Sequence, residues 1–213
     1  MNKILPKTII FDFDGTIADS MEAVRQIYNR IAVEKGFKLI TEKNMEILRD
    51  KNPREILKAL GLSIFQVARF GPRVRNELRN QVKDLKIFPG VKGLVLKIKD
   101  LDYRLGIITS NSEENVREFL KRNNIDIFDF IYAGNSIFGK TKTLKLLMKQ
   151  QTVTPQQLIF IADEVRDIES ARKAGVKIVC ISWGYNTPLA FEHNHPDALV
   201  NNTNELFEAI KTI

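Results

Sequence analysis

Apolar and polar positions along this chain follow two periods, and the switch between them comes early. Thr8-Ile9-Ile10-Phe11 is a short apolar, β-branched run, the pattern of a buried strand. It breaks at Asp12-Phe13-Asp14-Gly15-Thr16, where Gly15 allows a tight turn. After Ser20 the period becomes helical. Met21, Val24, Ile27, Tyr28 and Ile31 share one face, with Ser20 placed to cap the start and Gly36 to close the end. A second short helix is predicted over Asn44 to Arg49 and a third from Pro53, with Ile56, Leu57 and Leu60 inward. A fourth is predicted over Pro72 to Lys86, carrying Val74, Leu78, Val82 and Leu85.

Strands and helices then alternate. Helices are predicted over Val91 to Leu101, Ser112 to Asn123, Thr141 to Gln150, Asp167 to Ala174 and Glu205 to Ile213. Strands are predicted over Tyr103 to Thr109, Phe130 to Ala133, Leu158 to Ala162 and Lys177 to Ser182. Strands separated by helices imply an α/β fold with a doubly wound parallel, Rossmann-like sheet, and ligands at the carboxyl ends of its strands. The expected division is a core of residues 1–18 and 87–213, with residues 19–86 an all-helical insertion that has its own small core.

Composition narrows the class. With 44% hydrophobic and 28% charged residues, the chain reads as a soluble globular protein. No apolar run approaches the roughly 18 residues of a membrane span. The leading Met1 to Lys7 offers no signal-peptide core, and the single Cys180 lies in an apolar run, so a cytoplasmic location is expected. The net charge of +7 raises the question of nucleic acid. Between Asp19 and Lys86 lie 15 Lys/Arg and 9 Asp/Glu, interspersed and without interleaved aromatics. That is a solvated helical surface, and no nucleic-acid or membrane partner is expected.

The chemistry collects at the predicted strand ends. Asp12, Asp14 and Thr16 follow the first strand; Ser110 and Asn111 the second; Lys140 the third; and Asp163, Glu164 and Asp167 the fourth. Residues two apart on a strand point the same way, so Asp12 and Asp14 converge. Two such carboxylates repel unless a cation or a shared proton lies between them, and hard divalent ions, Mg²⁺ above all, suit them. Each set also has a plainer reading. Ser110 is good helix-cap chemistry, Lys140 alone is a surface lysine, and Asp163 and Asp167 are acids of a helix start. Gly134 to Thr141 also satisfies the Gly-x4-Gly-Lys-Thr pattern of a P-loop, the basis of a rival nucleotidase reading. Bulky Ile137 and Phe138 in that loop count against it, and it would leave Asp12, Asp14 and Thr16 without a role.

Asp12-Phe13-Asp14-Gly15-Thr16-Ile17-Ala18-Asp19-Ser20, Ile108-Thr109-Ser110-Asn111, Gly139-Lys140 and Ala162-Asp163-Glu164-Val165-Arg166-Asp167 together resemble the haloacid dehalogenase superfamily. Within it, the phosphoglycolate-phosphatase-like phosphatases are the nearest pattern, and the resemblance spans the whole chain, with residues 19–86 as a helical C1-type cap. It implies a Mg²⁺-dependent phosphatase with Asp12 as nucleophile, forming an aspartyl-phosphate, and Asp14 as general acid and base. It implies metal ligation by Asp12, the Asp14 carbonyl and Asp163, with Ser110, the Asn111 amide and Lys140 around the phosphoryl oxygens. Thr16 would steady the first loop, while Glu164 and Asp167 would orient metal waters and Lys140. Ala162 departs from the glycine usual in the family, which matters only if that position needs a positive φ. The substrate implied is a small phosphorylated metabolite, phosphoglycolate first, with a sugar phosphate or nucleotide, or mutase activity on a sugar phosphate, as alternatives. Arg49 and Arg54, in the basic turn between the second and third helices, are the residues expected to read an anionic end of the substrate.

Overall fold

The computed structural model describes residues 7–133 and 140–213. Strand β1 (Thr8–Asp12) is buried along its whole length. It leads through the two-residue β2 (Ala18–Asp19) into helices α1 (Met21–Lys35), α2 (Glu42–Arg49), α3 (Pro53–Leu60) and α4 (Ile64–Gln81). The chain returns through β3 (Lys86–Ile87), antiparallel to β2. There follow α5 (Val91–Lys99), β4 (Arg104–Thr109), α6 (Glu113–Arg122) and β5 (Phe130–Ala133). The remainder runs α7 (Thr141–Gln151), β6 (Leu158–Ala162), α8 (Val165–Ala174), β7 (Lys177–Ile181), the short α9 (Pro188–Phe191), β8 (Ala198–Val200) and α10 (Thr203–Thr212).

The main sheet has six strands in the order β5-β4-β1-β6-β7-β8, all paired in parallel. Strand β1 can be apolar throughout because both of its faces are covered. Ile9 and Phe11 enter a core with Ile107, Ile161 and residues of α5, α6 and α10. Ile10 enters the opposite core with Phe160, Ile108 and residues of α7 and α8. The winding direction reverses at β1, between β4 and β6, and polar groups gather at that reversal point. Cys180 is a free, buried thiol in β7, and Ala162 is an ordinary buried residue in β6, outside the residues with positive φ. The methyl group at Ala162 is therefore accommodated.

Helices α1–α4 bury their own apolar faces. Tyr28, Ala32, Leu48 and Leu60 form one cluster, and Ile27, Ile31 and Leu78 another. Several helix ends differ from the sequence expectation by one or two residues, and α4 differs by more at both ends. The fourth helix starts at Ile64 rather than Pro72, because Ser63 and Gln66 form a reciprocal cap: the Gln66 amide donates to Ser63 (3.2 Å) and the Ser63 amide to Gln66 (2.7 Å). Pro72 sits inside this helix, where it has no N–H to donate to the preceding turn. The helix ends at Gln81, and residues predicted to extend it form a tight turn and then β3. Strands β2, β3 and β8 escape periodicity because two or three residues cannot show an alternation. Among the described residues, no helix is long and apolar enough to cross a membrane.

Candidate active site

Asp12 closes β1 with the same parity as Ile10, so its carboxylate faces the side of the sheet that carries α7 and α8. Lys140, the residue before α7, and Asp167, in the first turn of α8, lie on that side. Lys140 Nζ pairs with Asp12 Oδ2 and, at 3.0 Å, with Asp167 Oδ2. Only 6% of Lys140 is exposed, a burial that an ammonium tolerates when two carboxylates compensate it. Burial works against the Lys140 charge, but Asp12 and Asp167 outweigh it and raise its pKa above the ordinary lysine value. Burial pushes Asp12 up, and Lys140 draws part of that shift back. The Phe13 amide donates to Asp12 Oδ1 at 2.7 Å and fixes the carboxylate.

Asp163, just past β6, is fully buried and held from two sides. Thr16 Oγ1 donates to its Oδ1 (2.8 Å) and the Tyr185 amide to its Oδ2 (2.7 Å). Two glycines make this fit possible. A Cβ on Gly15, whose φ is +81°, would lie 2.1 Å from Asp163 Oδ2, and one on Gly184 would lie 2.2 Å from Asp163 Cβ. Burial, followed by Asp12 and Glu164, raises the Asp163 carboxyl well above its ordinary range. Burial and then Asp12 push Asp14 up to about 7. Its Oδ1 is sealed from solvent with no donor among the described residues, as is Asp167 Oδ1.

Asp12, Asp14, Lys140 and Tyr185 line a cleft of about 230 Å³, whereas Thr16, Asp163 and Asp167 stand outside its lining. Its lining comes partly from the core, with Asp12, Asp14, Ser110, Lys140 and Glu164 (the floor), and partly from the helical segment, with Val24 of α1 and Val74, Arg75 and Leu78 of α4 (the roof). The cap of α6 is Ser112, which accepts from the Asn115 amide (3.3 Å), so Ser110 is free of that duty. Asn111 is buried behind, its amide donating to Thr109 Oγ1 at 2.9 Å. Carboxylate oxygens of Asp12, Glu164 and Asp167 lie within 4.8 Å of one another, a grouping able to hold a cation. Glu164 also pairs with Arg166.

Arg49 lies elsewhere, at a joint between the helical segment and the loop after β7. Its Nη2 donates to the Gly184 carbonyl (3.0 Å) and its Nε to the Tyr185 carbonyl (3.2 Å). The Arg49 carbonyl in turn accepts from Asn186 Nδ2 (2.6 Å), and Thr187 Oγ1 donates to Asp50. Arg54 is exposed, and neither arginine lines the cleft. Of the P-loop pattern, Gly134 to Gly139 lie outside the described residues; Lys140 is committed to Asp12 and Asp167.

The haloacid dehalogenase-like hydrolase family model matches residues 9–181, from β1 to the end of β7. The chain belongs to this family. This hydrolase is 35% identical over 205 residues to the phosphoglycolate phosphatase of Synechococcus elongatus, covering 96% of this chain and 97% of that one. It is 25% identical over 223 residues to the phosphoglycolate phosphatase of Vibrio vulnificus, with 96% of each chain covered. In fold it resembles the crystal structure of a predicted phosphatase from Clostridium acetobutylicum, with TM-score 0.82, 18% identity and coverage of 98% and 100%.

Four residues of this hydrolase's cleft region escaped the sequence reading. Arg166 carried a signal, a lone cation among the acids of Asp163-Glu164-Val165-Arg166-Asp167. Gly184 and Tyr185 follow β7, so the strand-end rule applied one strand further would have reached them. Arg75 had no such marker and is one of many basic residues on the helical segment.

Proposed function

We propose that this hydrolase is a Mg²⁺-dependent phosphatase that cleaves a small phosphomonoester through an aspartyl-phosphate on Asp12, with phosphoglycolate the leading substrate. The observation that carries the reading is the buried Lys140 bridging Asp12 and Asp167 at the end of β1. It favours the ionised form of Asp12 against the burial that opposes it, and sets a cation where a phosphoryl group must approach. The relatives named phosphoglycolate phosphatase support the substrate class.

Asp12 attacks phosphorus as the P–O bond to the leaving group breaks. Asp14, with a pKa near 7, delivers a proton to the departing oxygen and afterwards takes one from the attacking water. Ser110 and Lys140 hold the phosphoryl oxygens, Asp167 keeps Lys140 in place, and Thr16 keeps Asp163 in place; the Asn111 amide, expected to join them, is spent on Thr109 Oγ1 and braces the loop instead. The orphaned Asp14 and Asp167 oxygens and the Asp12, Glu164, Asp167 grouping make the site a fit for a divalent ion. Asp12, Asp163 and the Asp14 carbonyl would hold it, with Glu164 beside them; each Asp163 oxygen has accepted one donor and keeps a lone pair. Bound Mg²⁺ supplies neutralisation of the crowded carboxylates and the phosphoryl charge. Residues 19–86 serve as a cap domain over a core of residues 1–18 and 87–213, excluding water during the reaction.

The test is phosphate release from phosphoglycolate and from an aryl phosphate, with Mg²⁺ and with chelator. Parent protein should require Mg²⁺, and Asp12→Asn, nearly isosteric, should abolish turnover while keeping the melting temperature within a few degrees. Turnover by that variant, or full activity in chelator, removes the proposal.

A further inference from the structure

The roof of the cleft poses a question of charge. Val24, Val74 and Leu78 are apolar, and among the described residues of the helical segment that line the cleft, Arg75 brings the one charged group. Helix α4 carries four arginines, and they differ in what they meet. Arg73 is bound by Glu34 and Glu77, Arg79 reaches Asn76, and Arg69 is exposed. Arg75 is half-buried and has no hydrogen bond or ion pair among the described residues. Its Nη1 lies back over the helix, 3.6 Å from where a Cβ on Gly71 would sit.

A half-buried guanidinium without a protein acceptor has given up part of its hydration and keeps its donors open to an anion that arrives from outside. The anions of the floor do not serve this purpose. Asp12 and Asp167 are committed to Lys140, Glu164 pairs with Arg166, and the charges that act on Asp14 are those of Asp12, Lys140 and Glu164 rather than Arg75. The cleft volume, about 230 Å³, is below the roughly 300–1,000 Å³ of sites for drug-sized ligands, so one small molecule would reach both walls. With its phosphoryl group beside Asp12 and Lys140, the other end of a molecule bound in this cleft has Arg75 as the charged residue that the helical segment offers it.

We propose that Arg75 is the specificity-determining residue of this hydrolase, pairing with a carboxylate at the end of the substrate opposite the phosphoryl group. The preferred class is then small phosphorylated hydroxy acids. The proposal rests on the phosphatase reading above and assigns the selecting role to α4 rather than to the turn that carries Arg49 and Arg54. A planar carboxylate matches the paired donors of a guanidinium, whereas a neutral alcohol leaves the charge unmet.

The experiment measures kcat/KM on phosphoglycolate and on hydroxyethyl phosphate, the same skeleton with an alcohol in place of the carboxylate, for the parent, Arg75→Ala, Arg75→Lys and Arg49→Ala. The parent should prefer phosphoglycolate. Arg75→Ala should lose at least about 30-fold on phosphoglycolate, as for truncating one partner of a hydrogen-bonded charge pair, and less than about threefold on hydroxyethyl phosphate. Arg75→Lys should recover part of the loss, and Arg49→Ala should lower both substrates alike. Equal losses from Arg75→Ala on both substrates, no loss on either, or an acid-selective loss from Arg49→Ala instead would overturn the proposal. A parent that releases phosphate from neither substrate, nor from an aryl phosphate, would overturn the phosphatase reading and this proposal with it.

Discussion

The Arg49 joint allows a prediction with a magnitude. Arg49→Ala removes two charge-assisted hydrogen bonds, from Nη2 to the Gly184 carbonyl (3.0 Å) and from Nε to the Tyr185 carbonyl (3.2 Å). Each such bond contributes about 1.5–3 kcal/mol net. The side chain is 20% exposed, so water replaces part of that, and about 2–4 kcal/mol for the pair is a fair expectation. The Glu46 contact adds little, because Glu46 is 71% exposed. Alanine keeps the backbone half of the joint, the Arg49 carbonyl that accepts from Asn186 Nδ2 and from the Thr187 amide. The helical segment should therefore stay folded but leave the loop more often. A loss of about 2 kcal/mol corresponds to a roughly 30-fold larger population of the open state. Hydrogen exchange read by mass spectrometry should show this at the amides of Tyr185 and Thr187. The Tyr185 amide holds Asp163 Oδ2, so kcat/KM should fall on phosphoglycolate and on an aryl phosphate by similar factors. Unchanged exchange across residues 184–187 would refute the joint. A loss confined to phosphoglycolate would make Arg49 a substrate contact instead.

Two further substitutions probe the floor. Lys140→Met leaves Asp12 and Asp167 without their shared cation, which should abolish phosphate release and cost about 3–5 kcal/mol of stability by thermal melting; retained turnover would contradict its place at the phosphoryl oxygens. Gly184→Ala drives a methyl to 2.2 Å from Asp163 Cβ and 2.5 Å from the Gly15 carbonyl, so it should cost about 1–3 kcal/mol and raise the Mg²⁺ concentration needed for half-maximal activity. An unchanged Mg²⁺ midpoint would mean that Asp163 does not depend on this packing.

Much of the fold and floor was legible because each depends on a local signal. The run before Asp12 announces a strand, and the alternation after Phe88 announces a parallel sheet whose strand ends carry polar residues. Asp12, Asp14, Ser110, Lys140 and Glu164 do meet in one cleft. What stayed hidden is non-local. Arg49 meets Gly184 and Tyr185 across 135 and 136 positions, and no periodicity reports a bond between a side chain and a distant backbone carbonyl. Arg75 was obscured by its own helix, since Pro72 reads as a start until the cap at Ser63 is recognised. Even with α4 bounded correctly, four arginines look alike until one of them is found in the lining of the cleft, half-buried and without an acceptor among the described residues.

The central position of β1 also sets the order in which this protein can come into being. Thr8 is paired with Arg104 on one side and Leu158 on the other. Translation proceeds at about 5–20 residues per second, so the strand waits on the order of ten seconds for its second neighbour. In that interval α1–α4 can settle around Tyr28, Leu48 and Leu60 by contacts near in sequence. The Ile9-Ile10-Phe11 run cannot, and it is meanwhile an adhesive edge open to other nascent chains. A polysome making this protein therefore carries finished helical segments beside bare first strands. The loop bearing Tyr185, whose amide holds Asp163, emerges later still, so the site is completed only after both neighbours of β1 have been made.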